Sequence, residues 1–286
     1  MKAWKAFALA CGIAAASSAT ATILPPNDLH LEDSLSLTSG ITEAEFNTTL
    51  DHVFAIYAPV FAVHNATFKI SRNWADSTVN AYAQKLGSTW LISMFGGLAR
   101  RPEVTVDGFA LVACHEVGHH LGGFPTYFLS DMASEGQADY FATHACAKMI
   151  WGTQLEENAK YRDLASVNVK ATCDASVADI DDQNLCYRAT MGGESLARLL
   201  GALGGTPNVD IMTPSTVVVR STQTSHPKAQ CRLDTYLAGS VCGVEFPSSE
   251  IPNSWETARA VSCSTAAGST SGFRPLCWFK PADGER

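Results

Sequence analysis

The stretch Cys114-His115-Glu116-Val117-Gly118-His119-His120 constrains this chain more than any other. Two helical positions four apart are rotated by about 400°, so they lie nearly over one another. On a helix, His115 and His119 therefore offer two ring nitrogens to a single zinc ion. Glu116 lies about 100° further round. It can reach a water on that metal but cannot bind in line with the two histidines. A histidine pair at this spacing also arises by chance on surface helices. Here it carries its glutamate and sits in an apolar run, Phe109 to Ala113 before it and Leu121 after. The alternative is a pair of hydrogen-bonded histidines on a buried helix. Asp107 is the expected N-cap of a helix over 108–121, and Gly122-Gly123 with Pro125 is its stop. Gly118 costs that helix roughly 1 kcal/mol against alanine, which is tolerable where another backbone approaches closely.

A second helix is expected from Ser130 or Asp131 to Trp151, with Gly152 just past its end. It carries Glu135 and Asp139, four apart and on one side. The connection over 122–129 is short, which favours antiparallel neighbours. Glu135 then lies beside His119, where a third metal ligand is needed. The alternative for Glu135 and Asp139 is a solvated acidic face.

Compartment follows from both ends of the chain. Lys2 and Lys5, the apolar run over 6–16 and Ala19-Thr20-Ala21 read as a signal peptide over 1–21, cleaved after Ala21. Cys11 leaves with it. Eight cysteines remain, at 114, 146, 173, 186, 231, 242, 263 and 277. An even count in an exported chain predicts disulfides, and a periplasmic or secreted location. Pairing 119 with 135 sets 114 level with about 140 and leaves Cys146 roughly 9 Å further along. That exceeds the ~7 Å between Cα atoms that a disulfide allows. Cys114–Cys146 is therefore expected not to form, leaving Cys114 as a buried free thiol. Loss of Lys2 and Lys5 takes the net charge from −8 to −10, and no basic run appears. Nucleic acid is thus an unsuitable partner. No later stretch is apolar for long enough to insert stably in a membrane. Oligomeric state is not legible.

Hydrophobic residues make up 46% of the chain, enough to bury a substantial core. Residues 22–40 lack a period and read as a lead-in or linker. A metal-binding domain over 41–240 follows, then a Cys-rich extension over 241–286 that packs on it. Thr42 and Glu45 form a capping box for an amphipathic helix that Pro59 ends. Short strands are expected around Phe68 and Ile70, over 79–83 and over 89–95. The last of these is either an edge that accepts an extended peptide or an interior strand. The region 155–205 reads as helical and acidic. Asp179, Asp181 and Asp182 have the wrong spacing for a calcium loop. Residues 216–220 read as a strand and 228–238 as a short helix. His30, His52, His64, His120 and His144 read as structural or surface residues.

His115-Glu116-x-x-His119 with Glu135-x-x-x-Asp139 resembles the gluzincin zinc metallopeptidases of the HtpX and CAAX-prenyl-protease type, as a soluble exported member. His226-Pro227, with Arg232 after it, and the stretch Val79 to Ala83 add to the likeness, which covers about 65–235. Ser225 stands where threonine is more usual, and the cysteines are no hallmark of that family. The resemblance implies an α+β fold, mainly helical, with a small sheet flanking a cleft. It implies one zinc ion on His115, His119 and Glu135, with one position open for water. Glu116 would be the general base, acting on a water whose pKa zinc lowers to about 7. Asp139 would orient a ligand histidine, with Arg232 beside it, and His226 would lie over the metal as an oxyanion donor or an inhibitory fourth ligand. The implied activity is endopeptidase hydrolysis of exported or misfolded polypeptides. The alternatives are a zinc-bound assembly factor with a plugged cleft and a thermolysin-like secreted digestive protease.

Overall fold

A computed structural model describes residues 20–32, 40–283 and 285. Most of the expected signal segment, residues 1–19, lies outside the described residues, as does part of the lead-in over 33–39.

The fold is α+β, mainly helical with one small sheet. Thr42 and Glu45 cap each other's backbone and start α1 (Glu43–Val63). Pro59 does not end this helix but lies inside it. The carbonyl that its missing N–H leaves free belongs to Ala55, on the exposed side where water can satisfy it. The sheet has the order β1 (Thr20–Thr22), β3 (Ala81–Leu86), β4 (Thr89–Phe95), β2 (Thr67–Asn73). β2 runs parallel to β4, and the other pairs are antiparallel. The strand over 89–95 is therefore interior, with Ile92 and Met94 buried. The free edges of the sheet are β1 and β2. The described part of the lead-in also packs next to the sheet. Ala21, Ile23 and Leu24 are buried, and the Asn80 side chain holds both backbone groups of Leu24.

After the short α2 (Gly96–Ala99), the central helix α3 (Val106–Leu121) crosses the sheet and is buried over almost its whole length. Its N-cap is Thr105, whose side chain accepts from the Gly108 N–H. Asp107, expected in that role, instead faces Arg188 at 2.9 Å and Tyr161. A second rod packs on α3: α4 (Glu135–Phe141), a π-helical turn over 142–146, and α5 (Ala147–Trp151), with Gly152 just beyond. It begins at Glu135, later than expected, because Ala133 bridges to Thr126 and bonds to the His119 carbonyl. Gly118 is where the two helices touch. A β-carbon there would lie 3.1 Å from both Ala138 Cα and the Phe141 ring. The close approach anticipated for this glycine is real.

The remaining helices are α6 (Leu155–Leu164), α7 (Val167–Ser176), α8 (Ile180–Leu203), α9 (Ala229–Val241) and α10 (Trp255–Ala260). Asp179 is the N-cap of α8, accepting from the amides of Asp181 and Asp182. Residues 216–220 are extended but form no strand. Val219 bonds to Leu276, while Val217 and Val218 stay exposed. The C-terminal extension packs down through Trp278, which is fully buried on Gly136. Among the described residues no helix is long and apolar enough to cross a membrane.

All eight cysteines pair: Cys114–Cys146, Cys173–Cys186, Cys231–Cys277 and Cys242–Cys263. The first pair, expected not to form, has its Cα atoms 5.6 Å apart, so Cys114 is not a free thiol. Two causes overturn that expectation. The backbones meet at Gly118 and Ala138, so 114 lies level with about 142 and not 140. The π turn over 142–146 then takes in an extra residue per turn and brings Cys146 round to face α3. Four disulfides fit an exported protein.

Candidate metal centre

α3 and the second rod bring His115, His119 and Glu135 together, each fully buried. One ligand atom from each lies within 4.8 Å of the others. The Nε2 atoms of the two histidines are 3.0 Å apart. Glu135 Oε2 lies 3.2 Å from His115 Nε2, and Glu135 Oε1 lies 3.8 Å from His119 Nε2.

The opposite ring nitrogens decide what this cluster is. His115 Nδ1 faces the Asp139 carboxylate at 2.8 Å, and His119 Nδ1 faces the Ala133 carbonyl at 2.8 Å. Both partners are acceptors, so each Nδ1 carries the ring proton. Both Nε2 atoms are then lone-pair acceptors aimed at each other and at a carboxylate, in a space closed to water. Glu135 Oε2 finds no donor. Three convergent acceptors favour a cation between them, and this buried group could hold a metal ion. The proton affinities agree. Burial opposes a charge on His115, but Asp139 and Glu135 outweigh it and raise its pKa to about 9. Burial lowers His119 to about 4. Burial alone would raise Glu135, yet the two histidines hold it well below the usual carboxylate range. Without a metal, a proton supplies the positive charge that the cluster demands.

Asp139 is fixed in turn by α9. Arg232 grips it with Nε on Oδ2 and Nη2 on Oδ1, both at 2.6 Å, and Tyr236 donates to Oδ1 at 2.6 Å. Burial would raise Asp139, but Arg232 and His115 keep it charged. The chain Arg232–Asp139–His115 therefore sets the tautomer of His115. Tyr236 escaped the sequence reading, although it lies four residues after Arg232 and so on the same helical face. Tyr127 escaped it too. Its hydroxyl donates to Glu135 Oε1 and its ring stacks on His119. No sequence spacing marks a loop tyrosine.

Glu116 is fully buried, and neither of its carboxylate oxygens has a hydrogen-bond partner. Burial pushes its pKa up to about 8, with His115 opposing and Glu135 assisting. It stands beside the cluster as a carboxylate able to take up a proton near neutrality. His226 lies at the rim, its Nε2 3.4 Å from Glu135 Oε1 and 2.8 Å from the Thr22 carbonyl. It does not belong to the three-residue group.

The other histidines are engaged elsewhere. His120 bonds to the Leu91 carbonyl, His144 to Val244, His52 to Ile150, His64 to Ser248 and His30 to the Ser77 hydroxyl. No protein-family model matches the chain, and neither does any curated protein or solved structure.

Proposed function

We propose that this chain is a zinc-dependent endopeptidase of exported or misfolded polypeptides. The observation that carries the reading is the unpartnered, buried Glu116 beside three convergent acceptors. A site that only stores metal has no chemical need for a second carboxylate without a donor. Two imidazoles and one carboxylate suit zinc, and this donor number leaves a coordination position open. Bound zinc would supply Lewis acidity to the peptide carbonyl and to water. The chain's own groups do the rest. Glu116 accepts the proton of the attacking water and passes it to the leaving amine. His226 donates through Nε2 to the carbonyl oxygen as negative charge develops there. Asp139 and Arg232 hold His115 in the tautomer that keeps Nε2 free. Tyr127 keeps Glu135 in place.

A second reading is a zinc-bound assembly factor whose cleft stays plugged. The complete burial of the four central groups favours it. Glu116→Gln separates the two. The endopeptidase reading predicts unchanged zinc content and a roughly 10²–10⁴-fold loss of casein hydrolysis. A Gln variant with full zinc and wild-type hydrolysis would remove Glu116 from the chemistry. A wild type that binds zinc and cleaves nothing supports the plugged reading.

A further inference from the structure

What closes the centre from solvent is the chain's own N-terminal segment. β1 lies antiparallel on β3, with Thr22 opposite Tyr82 and Ala21 opposite Ala83. Past β1 the chain bends at Ile23 and Leu24 beside the site, and each of its polar groups is held. The Thr22 carbonyl accepts from His226 Nε2 at 2.8 Å. The Ile23 N–H donates to the Ala81 carbonyl at 3.4 Å, and the Ile23 carbonyl accepts from Arg232 Nη1 at 2.5 Å. The Leu24 N–H donates to Asn80 Oδ1 at 3.2 Å, and the Leu24 carbonyl accepts from Asn80 Nδ2 at 3.3 Å.

These contacts read a main chain and not a sequence, which is how an edge strand takes in an extended peptide. They also come from the residues assigned to the chemistry. His226 meets one peptide carbonyl and Arg232 the next. Side-chain recognition comes from Ile23 and Leu24, both buried, and from the Thr22 hydroxyl, 3.4 Å from His226 Nε2. A cavity of about 440 Å³, lined by Leu24, Pro25, Leu200, Leu203 and His226, continues the path.

We infer that the β3 edge, with Asn80, His226 and Arg232, is the polypeptide-binding edge of the centre, and that Thr22–Leu24 occupies it as a displaceable pseudosubstrate. The partner is an extended chain with adjacent aliphatic residues at the positions of Ile23 and Leu24. This deepens the endopeptidase reading and rests on it only for the hydrolytic step, not for binding. The assembly-factor alternative becomes one state of the same molecule, with the segment seated. Cleavage after Ala21 would remove Thr20 and Ala21 but leave the three seated residues.

The test is made on the zinc-loaded full chain with two readouts: the rate at which a chelator extracts zinc, and casein hydrolysis. Ile23→Asp and the milder Ile23→Ala unseat the segment, and circular dichroism confirms that each is folded. Both rates should rise by roughly tenfold or more, the scale expected when burial of an aliphatic side chain is lost. A synthetic peptide with the sequence of residues 20–27 should slow zinc extraction again, and a scrambled peptide should not. Folded variants with wild-type zinc extraction and no protection by the peptide would overturn the inference. Faster extraction with peptide protection but no hydrolysis in any variant would uphold the seated segment and refute the endopeptidase reading alone.

Discussion

Asp139 touches no metal-facing atom, yet it receives four hydrogen bonds from three residues. Its charge is what fixes the proton on His115 Nδ1 and leaves Nε2 as a lone pair. An amide in its place keeps the shape and loses the charge that Arg232 matches. Asp139→Asn should lower zinc affinity by roughly 10–100-fold, the usual loss when the group behind a ligand histidine is removed. Competition with a chelating dye measures it, and unchanged affinity would show that His115 needs no such support. At this scale much of the centre was legible in the sequence. The helical period alone places His115 and His119 on one line, and a short connection places Glu135 against them. Asp139 and Arg232 came through the family resemblance, and the geometry gives them a physical role. Tyr127 and Tyr236 did not come through. Each acts by a hydroxyl that reaches across from another element, and a hydroxyl leaves no mark in hydrophobic periodicity.

At the scale of elements, the sequence is good at existence and poor at boundaries. The strand over 89–95 is interior because β2 pairs with it in parallel on the side away from β3. Composition could not reveal that pairing. The π turn over 142–146 is the other hidden feature. It changes which face of the second rod meets α3, and a rule based on 1.5 Å per residue cannot anticipate it. Its consequence is the Cys114–Cys146 bond, which closes a loop of sequence separation 32 and ties together the two helices that carry the ligands. Chain-entropy reasoning gives such a loop roughly 3–4 kcal/mol. Replacing both cysteines by alanine should therefore lower the urea unfolding free energy by about that amount and weaken zinc binding with it. An unchanged unfolding midpoint would mean that the two helices are held by packing at Gly118 alone.

Across the whole molecule, the described N-terminal segment and the C-terminal extension both converge on the helices of the candidate metal centre. The lead-in covers the centre from the sheet side. The extension supports it from behind, where the Trp278 ring lies on Gly136, the residue after Glu135. Cys231–Cys277 ties that tail to α9, the helix of Arg232 and Tyr236. Segments that read as linker and tail for want of periodicity thus complete the site through long-range packing, which no local pattern encodes. The proposed role of the three buried acceptors is to hold zinc for hydrolysis. Zinc content and casein hydrolysis, measured on one purified sample with and without a chelator, test it most directly. The account predicts one zinc per chain, hydrolysis that disappears with the metal, and its return when zinc is restored. A folded protein that holds no zinc, or hydrolysis that survives its removal, would contradict it.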